Sequence, residues 1–290
     1  MTSFFKVSGS GNDFVALPEP VETPSPERIR AWCRRGISLG ADGLFVLRRG
    51  EAGIAMDYFN ADGFPADLCL NGTRCAAQLA FHLGWAKGST RIVTAAGSVA
   101  ARRLDDRRVA LEMPPTGEPP REVALEVDGK PYTGYLLTIG VPHLVLPWPE
   151  GLETAPVVGL GRPLRGHPEL GPAGANVNFV RFPSEHRMEI RTYERGVEDE
   201  TLSCGTGVLA GAAVGVALGK AALPLTVATQ GGFELEVDGG SGGEGSWSLA
   251  GDARVVARGE LFPPSEASPA APPWETAGFL QIGGTGGNYR

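Results

Sequence analysis

Asp67-Leu68-Cys69-Leu70-Asn71-Gly72-Thr73-Arg74-Cys75-Ala76-Ala77 decides the reading of this chain, because it has a counterpart far downstream. Asp57-Tyr58-Phe59-Asn60 reads as a strand end, and Cys69 follows Asn60 by nine positions. Met188 to Arg195 reads as a second strand end, and Cys204 follows Arg195 by the same nine. Each cysteine opens a run of small residues, 71–80 and 205–217, so strand, polar loop, Cys, Gly-rich turn and helix occur twice. A thiol just before a helix lies near unpaired backbone N–H groups and the positive end of the helix dipole, which favours thiolate. The alternative is a pair of buried structural cysteines.

The 290 residues can bury a large core, as one big domain or as two of about half the length. A net charge of −7 argues against a nucleic-acid surface. The 42 glycines and 24 prolines suit many short strands joined by tight turns. The N-terminus lacks a secretion pattern, and the apolar run at 208–218 is too short to span a bilayer. Four cysteines without CxxC spacing suggest neither a disulfide scaffold nor a metal cluster. The expectation is a cytoplasmic protein with reduced thiols, no metal and no membrane or nucleic-acid partner.

Outward from the first cysteine, the chain reads as strands near 4–7, 44–47 and 52–59, with a helix over 26–35 that places Cys33 in the core. Glycines at 9 and 11 permit a tight turn that carries Asn12 and Asp13. The first Cys helix is expected over 73–83 and the second over 206–218. Strands follow near 90–93, 97–103, 107–112, 135–139, 225–229, 232–237, 246–250 and 253–261. The proline-rich stretch 113–120 marks a boundary between an N-terminal domain, 1–116, and a C-terminal domain, 117–262. Residues 239–245 read as a hairpin tip, and 263–290 as a tail that is flexible or packs on the N-terminal domain.

Two cysteines facing each other across a cleft can form a disulfide, act as nucleophile and resolver, or exchange a proton across a substrate carbon. The last requires a thiolate on one side and a thiol on the other. Backbone N–H groups at the helix starts, on Leu70 and Asn71 and on Gly205 and Thr206, can grip a carboxylate. An amino-acid substrate also needs charged partners, which Glu194 and Arg195 supply unless they form a surface pair. His143 is either a base or a satisfied structural histidine, and Asn12 and Asn60 are either turn formers or polar reaches into the cleft.

The motifs taken together resemble the diaminopimelate epimerase family over roughly residues 4–261. They are Gly9-Ser10-Gly11-Asn12-Asp13-Phe14, Gly40-Ala41-Asp42-Gly43, Phe59-Asn60-Ala61-Asp62-Gly63, Cys69 with Asn71-Gly72 and Arg74-Cys75, Pro142-His143, Asn176-Val177-Asn178-Phe179, Glu194-Arg195-Gly196, and Glu200-Thr201 with Cys204-Gly205-Thr206-Gly207. The resemblance implies an α/β fold of two pseudo-symmetric domains, each a curved, mostly antiparallel sheet around a central helix. It implies interconversion of LL- and meso-diaminopimelate in lysine and peptidoglycan precursor synthesis, without pyridoxal phosphate or another cofactor, in a possible homodimer. Its catalytic cysteines fall on Cys69 and Cys204, and the groups assisting at the reacting amino acid on His143 and Glu194. Its contacts to the distal group fall on Asn12, Asn60, Asn176 and Arg195. The chain departs from the family at Leu70, where Gly is usual, at Val141, where Asn is usual, and in a loop at 197–200 that is one residue longer. A racemase of another polar amino acid, or a non-catalytic binding relative, is the alternative.

Overall fold

Alternating apolar residues form two hairpins that begin two copies of one pattern, seen in a computed structural model that describes residues 2–113, 118–239 and 246–262. The first copy runs β1 (Thr2–Gly9), β2 (Asn12–Pro18), α1 (Pro26–Cys33), β3 (Gly43–Gly50), β4 (Gly53–Asn60), α2 (Leu70–His82), β5 (Ser89–Thr94), β6 (Gly97–Arg103) and β7 (Arg108–Met113). The second runs β8 (Arg121–Val127), β9 (Lys130–Ile139), β10 (Val141–Pro147), α3 (Val157–Arg165), β11 (Asn176–Ser184), β12 (Arg187–Glu194), β13 (Asp199–Thr201), α4 (Gly205–Ala217), β14 (Leu225–Thr229), β15 (Glu234–Gly239) and β16 (Trp247–Asp252). A last strand, β17 (Arg254–Leu261), ends the described chain.

Strand pairing makes the repeat explicit. β1–β2 is antiparallel, β2–β3 parallel, β3–β4 antiparallel, β4–β5 parallel, and β5–β6–β7 antiparallel. β9–β10, β10–β11, β11–β12, β12–β14 and β14–β15–β16 repeat that sequence of senses. The halves meet where β7 pairs with β16, Leu111 opposite Leu249. The outermost strand of each half is also matched: β8 on β9, and β17 on β1. The last strand, expected with the second half, therefore belongs to the sheet of the first. The expected boundary at 116/117 lies outside the described residues, as do most of the hairpin tip and the tail.

Each sheet curls around its central helix. α2 is buried at every residue from Leu70 to Phe81, and α4 is nearly as enclosed. The small residues of α4 make that possible: a Cβ on Gly211 would lie 2.9 Å from Met188 Cε, and one on Gly215 would overlap the Phe182 ring. Both helices share one apolar cluster, in which Cys75, Ala76 and Leu79 join Val208, Leu209 and Ala212. α1 seals the outer face of the first sheet with Ile29, Trp32 and Cys33, as α3 seals the second with Val157, Leu160 and Leu164. The helix α3 and strand β8 have no counterpart among the sequence expectations. α3 carries Gly159, Gly161 and Pro163, poor helix formers, and it is held by packing: a Cβ on Gly161 would lie 2.6 Å from Tyr193 Cβ.

Candidate active site

Both cysteines are helix N-caps. Cys69 is extended at φ −134° and its Sγ accepts the Gly72 N–H at 3.4 Å; Cys204 is extended at φ −117° with Sγ 3.5 Å from Thr206 Oγ1. The helices accordingly begin at Leu70 and Gly205, three residues and one residue earlier than expected. Their first turns hold the N–H groups of Leu70, Asn71, Gly205 and Thr206, which have no partners within a helix. The two N-termini abut, since a Cβ on Gly205 would lie 2.9 Å from Leu70 Cβ. The two Cys-capped helix starts thus meet, and the charge of Cys69 acts on Cys204.

Against the thiolate preference expected of a helix start, burial raises both thiols. Burial pushes the Cys69 thiol up to about 11, against the lowering effect of the Gly72 N–H. Burial and then the Glu194 carboxylate push Cys204 up to about 12. Glu194 also raises Cys69, so one carboxylate acts on both sulfurs. Loss of solvation outweighs the backbone N–H groups of the helix starts, which favour the thiolate. The Glu194 carboxyl is itself raised by burial, while the Thr201 hydroxyl, donating at 2.9 Å, opposes that.

His143 is fully buried on β10, and parallel pairing sets it beside Asn176 on β11. Its pKa falls to about 3, through burial and then the Arg195 charge, so the ring is neutral. The Asn176 Oδ1 accepts the Arg195 N–H at 2.7 Å, and Arg195 Nη1 donates to the Ala173 carbonyl at 3.2 Å. The Asn60 Oδ1 accepts the Tyr58 hydroxyl at 3.0 Å. Asn60 and Asn176 are therefore both oriented by their oxygens, leaving amide N–H donors.

Asn12 is tied at both ends, Nδ2 to Asp42 Oδ2 at 3.0 Å and Oδ1 to Asn71 Nδ2 at 2.7 Å. Asn71 also donates to the carbonyl of Ser203, the residue before Cys204, at 3.2 Å. Its own Oδ1 is held at 2.5 Å by Nη2 of Arg74, a fully buried guanidinium that also donates to Ser10 Oγ at 2.9 Å. Arg74, Tyr58 and Asn178 are polar residues of the site that the sequence reading quoted within its motifs but gave no role. Arg74 stands one turn after Asn71, and Asn178 two residues after Asn176 on one strand face, spacings that were visible. Of the family departures, Val141 begins β10 opposite Ile139. In the long loop the Glu198 carboxylate is committed to Arg165 at 2.9 Å and to the Gly196 N–H at 3.0 Å. No group of three or more His, Cys, Asp or Glu side chains suited to a metal occurs among the described residues, and no helix there is long and apolar enough to cross a membrane.

The family model for diaminopimelate epimerase matches residues 4–117 and 135–255. A diaminopimelate epimerase of Aquifex aeolicus is 39% identical over 250 residues, covering 81% of this chain and 89% of that protein. One from Gemmatimonas aurantiaca is 38% identical over 275 residues, covering 89% and 99%. Among solved structures, a probable proline racemase from Agrobacterium radiobacter K84 superposes with a TM-score of 0.70 at 17% identity, over 93% of this chain and 95% of that one. A hydroxyproline epimerase from Agrobacterium vitis superposes at 0.65 with 18% identity, over 89% and 91%. The distant structures share the fold of two sheet-and-helix domains, and the close relatives carry the family. The chain belongs to the diaminopimelate epimerase family and is an amino-acid isomerase of the epimerase and racemase type.

Proposed function

We propose that this isomerase interconverts LL- and meso-diaminopimelate by a two-base reaction between Cys69 and Cys204, in lysine and peptidoglycan precursor synthesis. One observation carries the reading: two Cys-capped helices of opposite halves abut at their N-termini, and one carboxylate, Glu194, acts on both thiols. In one direction Cys69 as thiolate takes the α-proton while the Cys204 thiol delivers a proton to the other face, and the roles exchange in reverse. The substrate α-carboxylate sits on the N–H groups of Leu70, Asn71, Gly205 and Thr206, where charge that develops as the proton leaves is stabilised. Glu194 holds the substrate ammonium. That ion pair offsets the part of the rise in both thiols that the Glu194 carboxylate adds to burial, so substrate binding itself eases formation of the thiolate.

The distal half of the substrate meets Asn12, Asn60, Asn176 and Arg195. The amide orientations favour a ligand rich in acceptors there, since Asn60 and Asn176 offer N–H groups and Arg195 a guanidinium. A distal carboxylate fits that set, which supports a long substrate charged at both ends. Val141 favours a second reading, a racemase of a smaller polar amino acid, because it offers no side-chain hydrogen bond where the family usually has Asn. A missing partner for a buried polar group costs about 1–3 kcal/mol. Deuterium uptake at the α-carbon from heavy water, on LL-diaminopimelate beside single amino acids and without pyridoxal phosphate, separates the two. Exchange into diaminopimelate is expected; rapid exchange confined to a one-centre amino acid overturns that substrate, and none at all, with reduced thiols, overturns the reaction.

A further inference from the structure

The environment of Asn178 determines which nitrogen of His143 carries the proton. Asn178 is fully buried, and its Nδ2 lies 3.1 Å from the Leu144 carbonyl and 3.4 Å from the Asn176 carbonyl. Carbonyl oxygens only accept, so the amide must present its NH2 group to them. On the other side, Oδ1 accepts the Thr192 hydroxyl at 3.0 Å. It also lies so close to the first turn of α4 that any Cβ on Gly207 would overlap it. Three strands and the Cys204 helix therefore lock one orientation of this amide. The same Nδ2 stands 3.2 Å from His143 Nδ1. Two N–H groups cannot face each other at that distance, so Nδ1 must be the bare, accepting nitrogen.

We propose that Asn178 is a positioning residue that holds His143 as the neutral imidazole with its proton on Nε2, so that His143 assists the reaction as a hydrogen-bond donor and not as a base. Nε2 is buried and has no hydrogen-bond partner among the described residues, so its N–H is a donor that the protein itself does not use. A base would need a bare nitrogen facing the proton it removes; the only bare nitrogen here is turned onto an amide N–H. The neutral ring also adds no positive charge beside Arg195, the charged neighbour that acts on it. The part assigned to His143 in the reaction rests on the epimerase reading above, whereas the tautomer is a property of the free protein and is measured without substrate.

The test is a two-dimensional 15N–1H correlation spectrum of the protein labelled at histidine, with the His143 signals assigned by their loss in His143→Asn. An Nε2–H pattern that does not titrate between about pH 6 and 9 is expected. An Nδ1–H pattern, or an imidazolium at neutral pH, overturns the proposal. Asn178→Asp places an acceptor against Nδ1 and is expected to move the proton there. With that move kcat should fall about 10²-fold or more, KM should change far less, and a new ionisation should enter the pH–rate profile. An unchanged tautomer and unchanged kcat in this variant also overturn it. Asn178→Ala sets no charge against the two carbonyls, so it serves where the aspartate does not fold, and it should show a mixed tautomer population. Wild-type protein that shows Nε2–H but exchanges no α-proton overturns the functional reading and leaves the tautomer standing.

Discussion

The two cysteines differ from ordinary thiols in the direction opposite to the one their helix positions suggest. With Cys69 held near 11, only about one thiol in a thousand is ionised at pH 8, and Cys204, near 12, is still less reactive. Alkylation by iodoacetamide should therefore rise about tenfold per pH unit from pH 7 to 10 without levelling, because the thiolate is the nucleophile and its fraction grows until the raised pKa is reached. A plateau near pH 8 would show that the helix ends win after all. Glu194→Gln should move two readouts in opposite senses. Removing the carboxylate lowers both thiol pKa values, so alkylation of the free enzyme speeds up a few-fold, while turnover falls because the substrate ammonium loses its partner. Equal losses in both would assign Glu194 a merely structural part. That Cys69 and Cys204 open two matched helices was legible from the nine-residue offset. Their protonation was not, because it depends on burial by residues from both halves that sequence spacing does not reveal. Asn178 illustrates the same limit: its contact with His143 arises from parallel pairing of strands separated by α3.

Among the elements, the Cys-capped helices α2 and α4 carry the most specific packing. Leu70 follows the first cysteine, and its side chain lies over Gly205 at the matching position of the other helix. Gly205→Ala puts a Cβ 2.9 Å from Leu70 Cβ, which two helix ends held by two sheets cannot relieve freely. Activity and melting temperature should both fall, and Leu70→Gly in the same chain should restore them. The coupling in this double-mutant cycle is expected at about 0.5–3 kcal/mol, and additive effects would mean the contact does not set the spacing of the helices. Helix existence was legible here from runs of small residues, but not the first turn of α2, because cysteine is not among the usual capping residues. α3 was invisible for a different reason. Its glycines and prolines disfavour a helix locally, and it is a face against Tyr193 and Phe179 that holds it in place.

At the scale of the whole molecule, the halves are matched strand for strand apart from β13, which has no counterpart among the described residues, and the exchange of β17 into the first sheet supplies the match to β8. Ending the chain after Ala253 should leave most residues intact yet uncover β1, whose Phe4, Phe5 and Val7 are buried. Sedimentation of that shortened protein should show self-association through the bare strand, and a monomer with wild-type melting behaviour would mean that β17 is dispensable. The repeat of sheets and central helices was legible in the sequence, because both halves use the same order of strand, cysteine and small-residue run. Ownership of the last strand was not, since nothing in 254–261 distinguishes a strand that returns to β16 from one that reaches β1. The exchange also sets a timetable for synthesis. On a ribosome, β1 leaves the exit tunnel first, but its partner at Arg254–Leu261 is not yet made. At the usual pace of translation the wait is roughly ten to fifty seconds. For that interval a nascent strand with an open apolar edge is exposed to chaperones and to neighbouring nascent chains, and the first half of the protein is finished only after the second.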